Sequence, residues 1–245
     1  MRRRKCGRLY GIGIGPGDPK LLTLKAKEII DQADIIFCPK GDEYGTSWAR
    51  SIIETTTPAP KEFVDLTFPM TRDKKVLRTY WQKAARRIAK EIAKGKQAAF
   101  ITLGDPFIYS TYIYLLRTLR QDFPDIEVET IPGISAFNAA AARAQVPLVQ
   151  GDERLAILPI TNDLRGLREA FEKFDTVILM KVGSKLDKVM VLLAELDLLK
   201  HSVLVSRLGQ PGERMIHDLS SLNNAEREGY LSVIIVKIPK RGTLS

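Results

Sequence analysis

The stretch that decides the fold runs from Leu9 to Leu24 and reads LYGIGIGPGDPKLLTL. Its first part, Leu9–Ile14, is a short apolar run typical of a β-strand, and apolar side chains recur near helical spacing beyond the turn. Asp18 followed by Pro19 is a typical helix start, because an N-cap acceptor precedes a proline at the first helical position. The stretch therefore predicts a strand, a tight glycine-rich loop and a helix.

A glycine-rich loop between a strand and a helix usually suggests a phosphate site. The dinucleotide fingerprint is G-x-G-x-x-G, and counting from Gly11 its third glycine position holds Pro16. The P-loop pattern is also absent. The glycines could let the backbone approach another ligand closely, or they could form only a tight connection. Pro16, which stiffens the turn, and Asp18 favour a functional role.

The pattern of a strand followed by a helix repeats through the first part of the chain. Further strands are predicted at 34–38, 62–66, 97–103 and 126–131, and helices at 47–55, 71–94, 107–120 and 135–145. Such repeats indicate a largely parallel sheet with helices on both faces. They predict a first α/β domain over residues 1–148.

The second part of the chain has a different pattern. Strands are predicted at 155–160, 176–182 and 202–206 with helices between them, followed by strand-like runs at 214–219 and 231–238 that no long helix separates. That ending favours an antiparallel or mixed sheet, and a mixed sheet is the prediction for this domain. A second α/β domain is therefore predicted over residues 149–245.

The composition narrows the class of protein. The chain has 245 residues, 44% of them hydrophobic and 27% charged, as in ordinary soluble domains. No apolar run reaches the roughly 18 residues that a membrane span needs, and the basic start lacks the apolar stretch of a secretory signal. Cys6 and Cys38 have no CxxC spacing, so a disulfide framework and a zinc site are not expected. A cytoplasmic protein is expected, without membrane attachment or a metal ion of its own.

The chain is basic, with a formal net charge of +9 from 38 Lys and Arg against 29 Asp and Glu. Such a charge suits either a nucleic acid or a small polyanionic substrate. Few aromatic residues are placed to form a stacking platform, which weakens the case for single-stranded nucleic acid. The basic run at 72–96 is interpreted as a solvated helix face. His201 and His217 are isolated in the sequence and are interpreted as structural.

Three later loops add candidates for chemistry. Gly104-Asp105-Pro106 ends a strand at the predicted carboxyl edge of the sheet, where open α/β proteins bind ligands. Pro132-Gly133 ends the next strand, ahead of Ser135 and an alanine-rich helix. Met180 ends a strand of the second domain and could line a flat adenine ring. Each motif alone is weak, because an Asp-Pro turn, a packed alanine helix and a core methionine are all common.

Taken in order, GIGPGDPKLLTLKA, LGDPFIYST, PGISAF and LMKVG resemble the tetrapyrrole methylase family, over nearly the whole chain. The resemblance implies an enzyme of two α/β domains that uses S-adenosylmethionine and releases S-adenosylhomocysteine. It implies that the glycine-proline loop holds no phosphate and lies in a cleft between the domains, beside the methyl donor and the macrocycle. It also implies a homodimer.

The continuation after Pro106, FIYSTYIYLL, together with MKVGSKLDKV, resembles the precorrin-2 C20-methyltransferases, including those that act on the cobalt complex. Uroporphyrinogen-III methyltransferases have a GDPFxFGRGGEE-type continuation, and the C11 and C17 methylases usually have glycine where Ser110 stands. The expected substrate is therefore precorrin-2 or its cobalt complex. Another tetrapyrrole methylase of the pathway remains the alternative. An RNA methylase of the same fold is a weaker one, because those proteins carry a G-T-P-type second loop.

The resemblance also assigns residues. Donor binding is implied for Pro16, Gly104, Asp105, Pro106, Tyr109, Ser135, Ala136, Met180 and Gly209. Asp18 is expected on the substrate side, as the candidate for a catalytic role. The proton that leaves the substrate could go to Asp18, to Asp105, to water or to the macrocycle, and the sequence leaves that choice open.

Overall fold

The computed structural model describes residues 7–41, 45, 47–57, 61–222 and 231–239. The chain divides into two compact units, Met1–Ser135 and Ala136–Ser245. The division falls before the predicted boundary at 148/149, because the helix Ala136–Ala144 packs against strands of the second sheet. Both units combine a β-sheet with helices, as predicted.

The first unit is a parallel sheet covered on both faces. Its strands are β1 (Arg8–Gly13), β2 (Ile35–Lys40), β3 (Glu62–Thr67), β4 (Gln97–Thr102) and β5 (Val128–Ile131), in the order β3-β2-β4-β1-β5. All the pairings are parallel. Its helices are α1 (Leu24–Gln32), α2 (Trp48–Glu54), α3 (Lys74–Ile92) and α4 (Tyr112–Asp122). The predicted parallel α/β architecture is confirmed.

Alternate residues of the central strands enter two separate cores. Leu9, Phe37 and Phe100 point to the face covered by α3 and α4. Ile12 and Ile101 point to the other face, which α1 and α2 cover. The strands are therefore apolar on both sides, which explains why the sequence shows continuous apolar runs instead of alternation.

Two predicted helix starts were wrong. Asp18 does act as a cap, since its Oδ1 accepts a hydrogen bond from the Lys20 amide at 2.8 Å, but it caps only a single 3₁₀ turn, Pro19–Leu21. The first α-helix begins at Leu24, where Thr23 Oγ1 accepts from the Ala26 amide. Likewise the segment predicted helical from Phe107 is a loop as far as Thr111, and α4 begins at Tyr112.

The second unit begins with α5 (Ala136–Ala144). It continues with β6 (Leu155–Pro159), α6 (Arg165–Lys173), β7 (Thr176–Met180), α7 (Leu186–Glu195), β8 (Ser202–Ser206), β9 (Arg214–His217) and β10 (Ser232–Lys237). The strand order is β6-β7-β10-β8-β9. Among the described residues of this sheet, β6 and β7 pair in parallel and the other pairings are antiparallel. The predicted mixed sheet is confirmed, with the buried strand β10 between β7 and β8.

One buried ionic cluster secures the end of α3. The Glu91 side chain is only 2% exposed and contacts three cations, Arg87, Lys94 and Lys96. Hydrogen bonds from Lys94 and then Lys96 lower the pKa of Glu91 to about 2. Lys96 also contacts Glu62 at the start of β3, at 2.7 Å. The cluster therefore ties the turn between α3 and β4 to the neighbouring strand.

Cys38 is buried in β2, and Cys6 lies outside the described residues. None of the helices in the described part of the chain is long and apolar enough to cross a membrane. Across the same residues, no three His, Cys, Asp or Glu side chains are grouped as metal ligands would be.

Candidate functional site

The candidate site of the first unit lies at the carboxyl edge of its sheet. The adjacent strands β4, β1 and β5 end at Thr102, Gly13 and Ile131. The loops that follow them carry most of the predicted donor-binding residues. Because the strands are parallel, all three loops leave the same edge of the sheet, where open α/β folds bind ligands.

Hydrogen bonds join the loop after β1 to the loop after β4. The Gly104 amide donates to the Gly15 carbonyl at 2.7 Å, and the Gly15 amide donates to the Gly104 carbonyl at 3.4 Å. Gly15 has a φ of +77°, a left-handed conformation that glycine adopts without strain. The loop is therefore shaped by its contact with the loop beside it.

Gly13 explains a further part of the glycine pattern. A Cβ built on Gly13 would lie 2.6 Å from the Gly104 carbonyl oxygen and 2.6 Å from the Gly133 amide nitrogen. Both contacts are backbone atoms that belong to different loops. Glycine at this position lets three loops pack directly on one another. The backbone that comes close to Gly13 is therefore that of the neighbouring loops, and a ligand is not needed to explain this glycine.

Asp105 links two of these loops through its carboxylate. Its Oδ1 accepts a hydrogen bond from the Phe107 amide at 2.9 Å, within its own loop. Its Oδ2 accepts from the Gly133 amide at 3.1 Å, in the loop after β5. The Asp105 carboxylate, which was predicted to accept hydrogen bonds from a ligand, therefore accepts them from two backbone amides.

The loop after β4 presents Tyr109. Its backbone has a φ of +52°, which is strained for a residue with a side chain, and the residue is 36% exposed. The next residue, Ser110, is buried, and its Oγ lies 2.9 Å from Thr102 Oγ1 and accepts from the Tyr112 amide at 3.1 Å. These bonds hold the backbone on the far side of Tyr109 in place. Partial burial raises the pKa of the Tyr109 hydroxyl, so the hydroxyl stays neutral at pH 7.

The first loop presents Pro16, Gly17 and Asp18. Pro16 and Gly17 are buried, and Asp18 is half-buried. Of the two Asp18 carboxylate oxygens, Oδ1 accepts from the Lys20 amide. The Asp18 side chain thus stands in a fixed orientation at the start of a 3₁₀ turn.

In the second unit, Met180 and Gly209 lie at one edge of the sheet. Met180 ends β7 and Gly209 follows β8, and these two strands run in the same direction on either side of β10. Met180 is half-buried, at the last position of its strand. The Gly209 amide donates to Glu213 Oε2 at 2.7 Å, so a ligand contact at Gly209 would have to use another atom of that residue.

Arg143 completes the arrangement around Gly209. Its Nε donates to Glu213 Oε1 at 2.7 Å. This bond and the Gly209 amide lower the pKa of the Glu213 carboxyl. The loop at 209–213 is therefore braced by a carboxylate that receives one charged and one neutral donor.

The structure brings the predicted residues together in two groups. Pro16, the Gly104–Tyr109 segment and Ser135 follow neighbouring strands in the first unit, and Met180 and Gly209 share an edge in the second. Ala136 is the first residue of α5. The expectation that the active site lies in a cleft between the domains stays a prediction. Sequence reasoning placed Gly133 at a strand exit but missed its bond to Asp105, and it missed Glu213 altogether.

Residues 8–222 of the chain match the model of the tetrapyrrole (corrin/porphyrin) methylase family. The chain belongs to this family. This tetrapyrrole methylase is 39% identical in sequence to a probable cobalt-precorrin-2 C(20)-methyltransferase of Methanocaldococcus jannaschii. The alignment covers 96% of this chain and 97% of the relative. It is 34% identical to the cobalt-precorrin-2 C(20)-methyltransferase of Salmonella typhimurium, and that alignment covers 94% of this chain and 96% of the relative.

Solved structures agree on the fold of this methylase. A cobalt precorrin-4 methyltransferase superimposes with a TM-score of 0.73 at 21% identity, covering 97% of both chains. A uroporphyrin-III C-methyltransferase from Thermus thermophilus, in complex with S-adenosylhomocysteine, gives a TM-score of 0.66 at 20% identity, covering 94% of this chain and 92% of the other. At these identities the similarity establishes the fold alone.

Proposed function

We propose that this tetrapyrrole methylase is a precorrin-2 C20-methyltransferase of cobalamin biosynthesis, which transfers a methyl group from S-adenosylmethionine to C20 of the substrate. The observation that carries the proposal is the identity of 39% and 34%, over nearly the full length, with two relatives named for that reaction. The FIYST segment supports it, because Ser110 makes two hydrogen bonds that a glycine at this position could not make.

The residues at the two sheet edges fit the methyl donor. The donor combines a flat adenine, a ribose, an amino acid group and a sulfonium. The candidate residues offer the partly exposed Tyr109 ring, the buried Ser135 hydroxyl and the half-buried Met180 thioether, a soft and polarisable contact for adenine. The remaining donor contacts are proposed for Pro16, Gly104, Asp105, Pro106, Ala136 and Gly209.

S-adenosylmethionine supplies an electrophilic methyl group whose leaving group is a neutral thioether. The task left to the protein is alignment, with the acceptor carbon about 3 to 3.5 Å from the methyl group and in line with its bond to sulfur. Rigid loops suit that task. Hydrogen bonds between Gly15 and Gly104, and between Asp105 and Gly133, fix three loops against one another.

A proton must leave the substrate after methyl transfer. Asp18 is half-buried, and its Oδ1 already holds the Lys20 amide. The carboxylate can still accept a proton on its other oxygen, so Asp18 is the proposed substrate-side residue. Asp105 is a poorer candidate, because each of its two oxygens already accepts a hydrogen bond from a backbone amide.

The net charge of +9 suits the proposed substrate, which carries several carboxylates. Positive potential around the site would speed the approach of such a polyanion, and this effect weakens with added salt. We therefore expect the KM for the tetrapyrrole to rise with ionic strength, while the KM for S-adenosylmethionine changes little.

The deciding experiment incubates the protein with methyl-labelled S-adenosylmethionine and, in separate reactions, with precorrin-2 and cobalt-precorrin-2. The expected result is one label per product, placed on C20 by NMR. A label on another carbon would assign the chain to another reaction of the family. No transfer to either substrate, combined with tight RNA binding that weakens steeply with salt, would favour an RNA methylase. Comparing the two reactions identifies the preferred metal state of the substrate.

A further inference from the structure

We propose that Asp105 is a positioning residue, which holds the loop after β5 in place for donor binding through the amide of Gly133. On this view the carboxylate does not take up the proton, and the donor contact proposed for Asp105 comes from its backbone. The inference rests on the proposed function, because it assumes that the loop at 132–136 contacts S-adenosylmethionine.

The first argument is the use of both carboxylate oxygens. Oδ1 accepts from the Phe107 amide two residues on, which fixes the side chain relative to its own loop. Oδ2 accepts from the Gly133 amide, 28 positions further along the chain. A general base needs an oxygen directed at the substrate, whereas here each oxygen is directed at a backbone N–H.

The second argument is the place of Gly133 in its loop. Strand β5 ends at Ile131, and Pro132 has no amide hydrogen, so Gly133 carries the first amide after the strand that can be held. Ser135 and Ala136, for which donor contacts are proposed, follow within three residues. A bond at Gly133 therefore sets the direction in which these two residues leave the sheet.

The third argument is the packing around Gly133. A Cβ on Gly133 would overlap the Gly104 carbonyl oxygen and the backbone of Gly13. The loop after β5 is thus pressed against its neighbours, while the Asp105 carboxylate holds it from one side. Hydrogen bonds to a charged acceptor are stronger than neutral ones, which suits an anchor that must stay fixed during turnover.

The test replaces the carboxylate by an amide of the same size and, in a second variant, by a shorter hydroxyl. In Asp105→Asn one oxygen becomes an NH2 group, so either Phe107 or Gly133 loses its acceptor. In Asp105→Ser the hydroxyl can still accept from the Phe107 amide but is too short to serve Gly133 as well. We expect both variants to raise the dissociation constant of S-adenosylhomocysteine, by calorimetry, and the KM for S-adenosylmethionine about tenfold.

Two readouts separate positioning from catalysis. If Asp105 acts through Gly133, kcat at saturating donor stays within about threefold of the wild type and its pH profile keeps its shape. Hydrogen exchange of the peptide that spans residues 131–137 becomes faster in Asp105→Ser, because that variant releases the Gly133 amide, and in Asp105→Asn wherever the remaining oxygen serves Phe107 instead. A fall in kcat with an unchanged KM, or loss of a limb of the pH profile, would overturn the inference.

Asp218→Asn is the matched control. Asp218 Oδ1 also accepts from the amide two residues on, that of Ser220, but Asp218 follows β9 at the opposite edge of the second sheet. We expect this variant to bind the donor like the wild type. Equal losses in Asp105→Asn and Asp218→Asn would count against a specific role for Asp105.

The outcomes also separate this inference from the proposed function. If the wild-type protein neither binds S-adenosylhomocysteine nor methylates either tetrapyrrole, the proposed function fails and the inference falls with it. If the wild type is active and the Asp105 variants keep their donor KM and their exchange rates, only the inference is wrong. If neither Asp105 variant folds, as measured by thermal unfolding, the residue serves stability and the inference is also wrong.

Discussion

The ring of Tyr112, at the start of α4, lies directly against the backbone of Gly11 in β1. A Cβ on Gly11 would overlap Cε2, Cζ and Oη of that ring. The Tyr112 hydroxyl reaches past the glycine to Thr130 Oγ1 on β5, at 2.6 Å. Gly11, the first glycine of the motif, is therefore explained by a buried aromatic side chain that lies over β1 and reaches β5.

Gly11→Ala is expected to destabilise the protein by about 3 kcal/mol. The added methyl group overpacks a full core, which costs about 1–3 kcal/mol, and a displaced Tyr112 ring loses the hydrogen bond to Thr130, worth about 1 kcal/mol. The measurement is urea unfolding. In a Tyr112→Leu background the three overlapping atoms are absent, so the same substitution should cost less than about 1 kcal/mol. An equal cost in both backgrounds would show that Tyr112 is not the reason for the glycine.

Gly13→Ala is expected to be more damaging, because the added Cβ meets two backbone atoms that no side-chain movement can clear. We expect a loss of at least about 3 kcal/mol in unfolding free energy and weaker binding of S-adenosylhomocysteine. The control is Gly166→Ala in α6, where nothing lies within 4 Å of the added Cβ. Alanine suits a helix, so this control should be up to about 1 kcal/mol more stable than the wild type. A Gly13→Ala protein that folds and binds the donor normally would contradict the packing of three loops around Gly13.

The order of strands and helices could be predicted because both cores are built from apolar runs of the right length. Strand β4, for example, reads QAAFIT, and its buried residues alternate between the two cores. An antiparallel or mixed second sheet could be predicted because no long helix separates the last two strands, although β9 and β10 do not pair with each other and each is antiparallel to β8. These features depend on local sequence pattern alone, so they can be predicted without any knowledge of tertiary contacts.

The helix starts predicted at Asp18 and Phe107 were wrong for different reasons. Near Asp18 two caps compete locally, since Asp18 caps only a 3₁₀ turn and Thr23 caps α1. After Phe107 a distant partner takes part. The left-handed backbone at Tyr109 excludes a helix there, and a hydrogen bond between Ser110 and Thr102 of β4 holds the segment that follows. The sequence likewise placed Asp105 at a strand exit but could not show that Gly133 would occupy one of its oxygens. The glycines of the first loop raise the same difficulty, since a glycine beside a ligand and a glycine beside another loop look alike in sequence.

The left-handed conformation of Tyr109 leads to a test with a matched pair. At a φ of +52° a Cβ costs roughly 1–2 kcal/mol, so Tyr109→Gly should be more stable than Tyr109→Ala by about 1 kcal/mol. Both variants should bind S-adenosylhomocysteine more weakly than the wild type, if the ring contacts the donor as proposed. Thermal unfolding and calorimetry give the two quantities.

Phe107 provides the comparison within the same loop. It is 54% exposed and does not have a positive φ, so there the alanine variant should be the more stable of the two. If glycine were favoured equally at both positions, the effect at Tyr109 would reflect general loop flexibility and not backbone strain.

Glu91 should make stability depend on pH in acid. The folded state holds its pKa at about 2, below the ordinary value of 4.5, because Lys94 and Lys96 donate to the carboxylate. The charged form therefore stabilises the fold fully above about pH 4.5, and this contribution is lost as the pH falls towards 2. Glu91→Gln should destabilise the protein by about 2 kcal/mol at pH 7, and its deficit relative to the wild type should shrink between pH 4.5 and pH 2.

The measurement is urea unfolding of both proteins at a series of pH values, so that the other carboxylates cancel in the difference. Glu172→Gln, on the exposed side of α6, is the control and should change the unfolding free energy only slightly. The sign is decisive. A Glu91→Gln deficit that grew as the pH fell, or that stayed constant down to pH 2, would mean that the Glu91 pKa is not depressed. The turn between α3 and β4 would then be held by packing, without help from the buried charge.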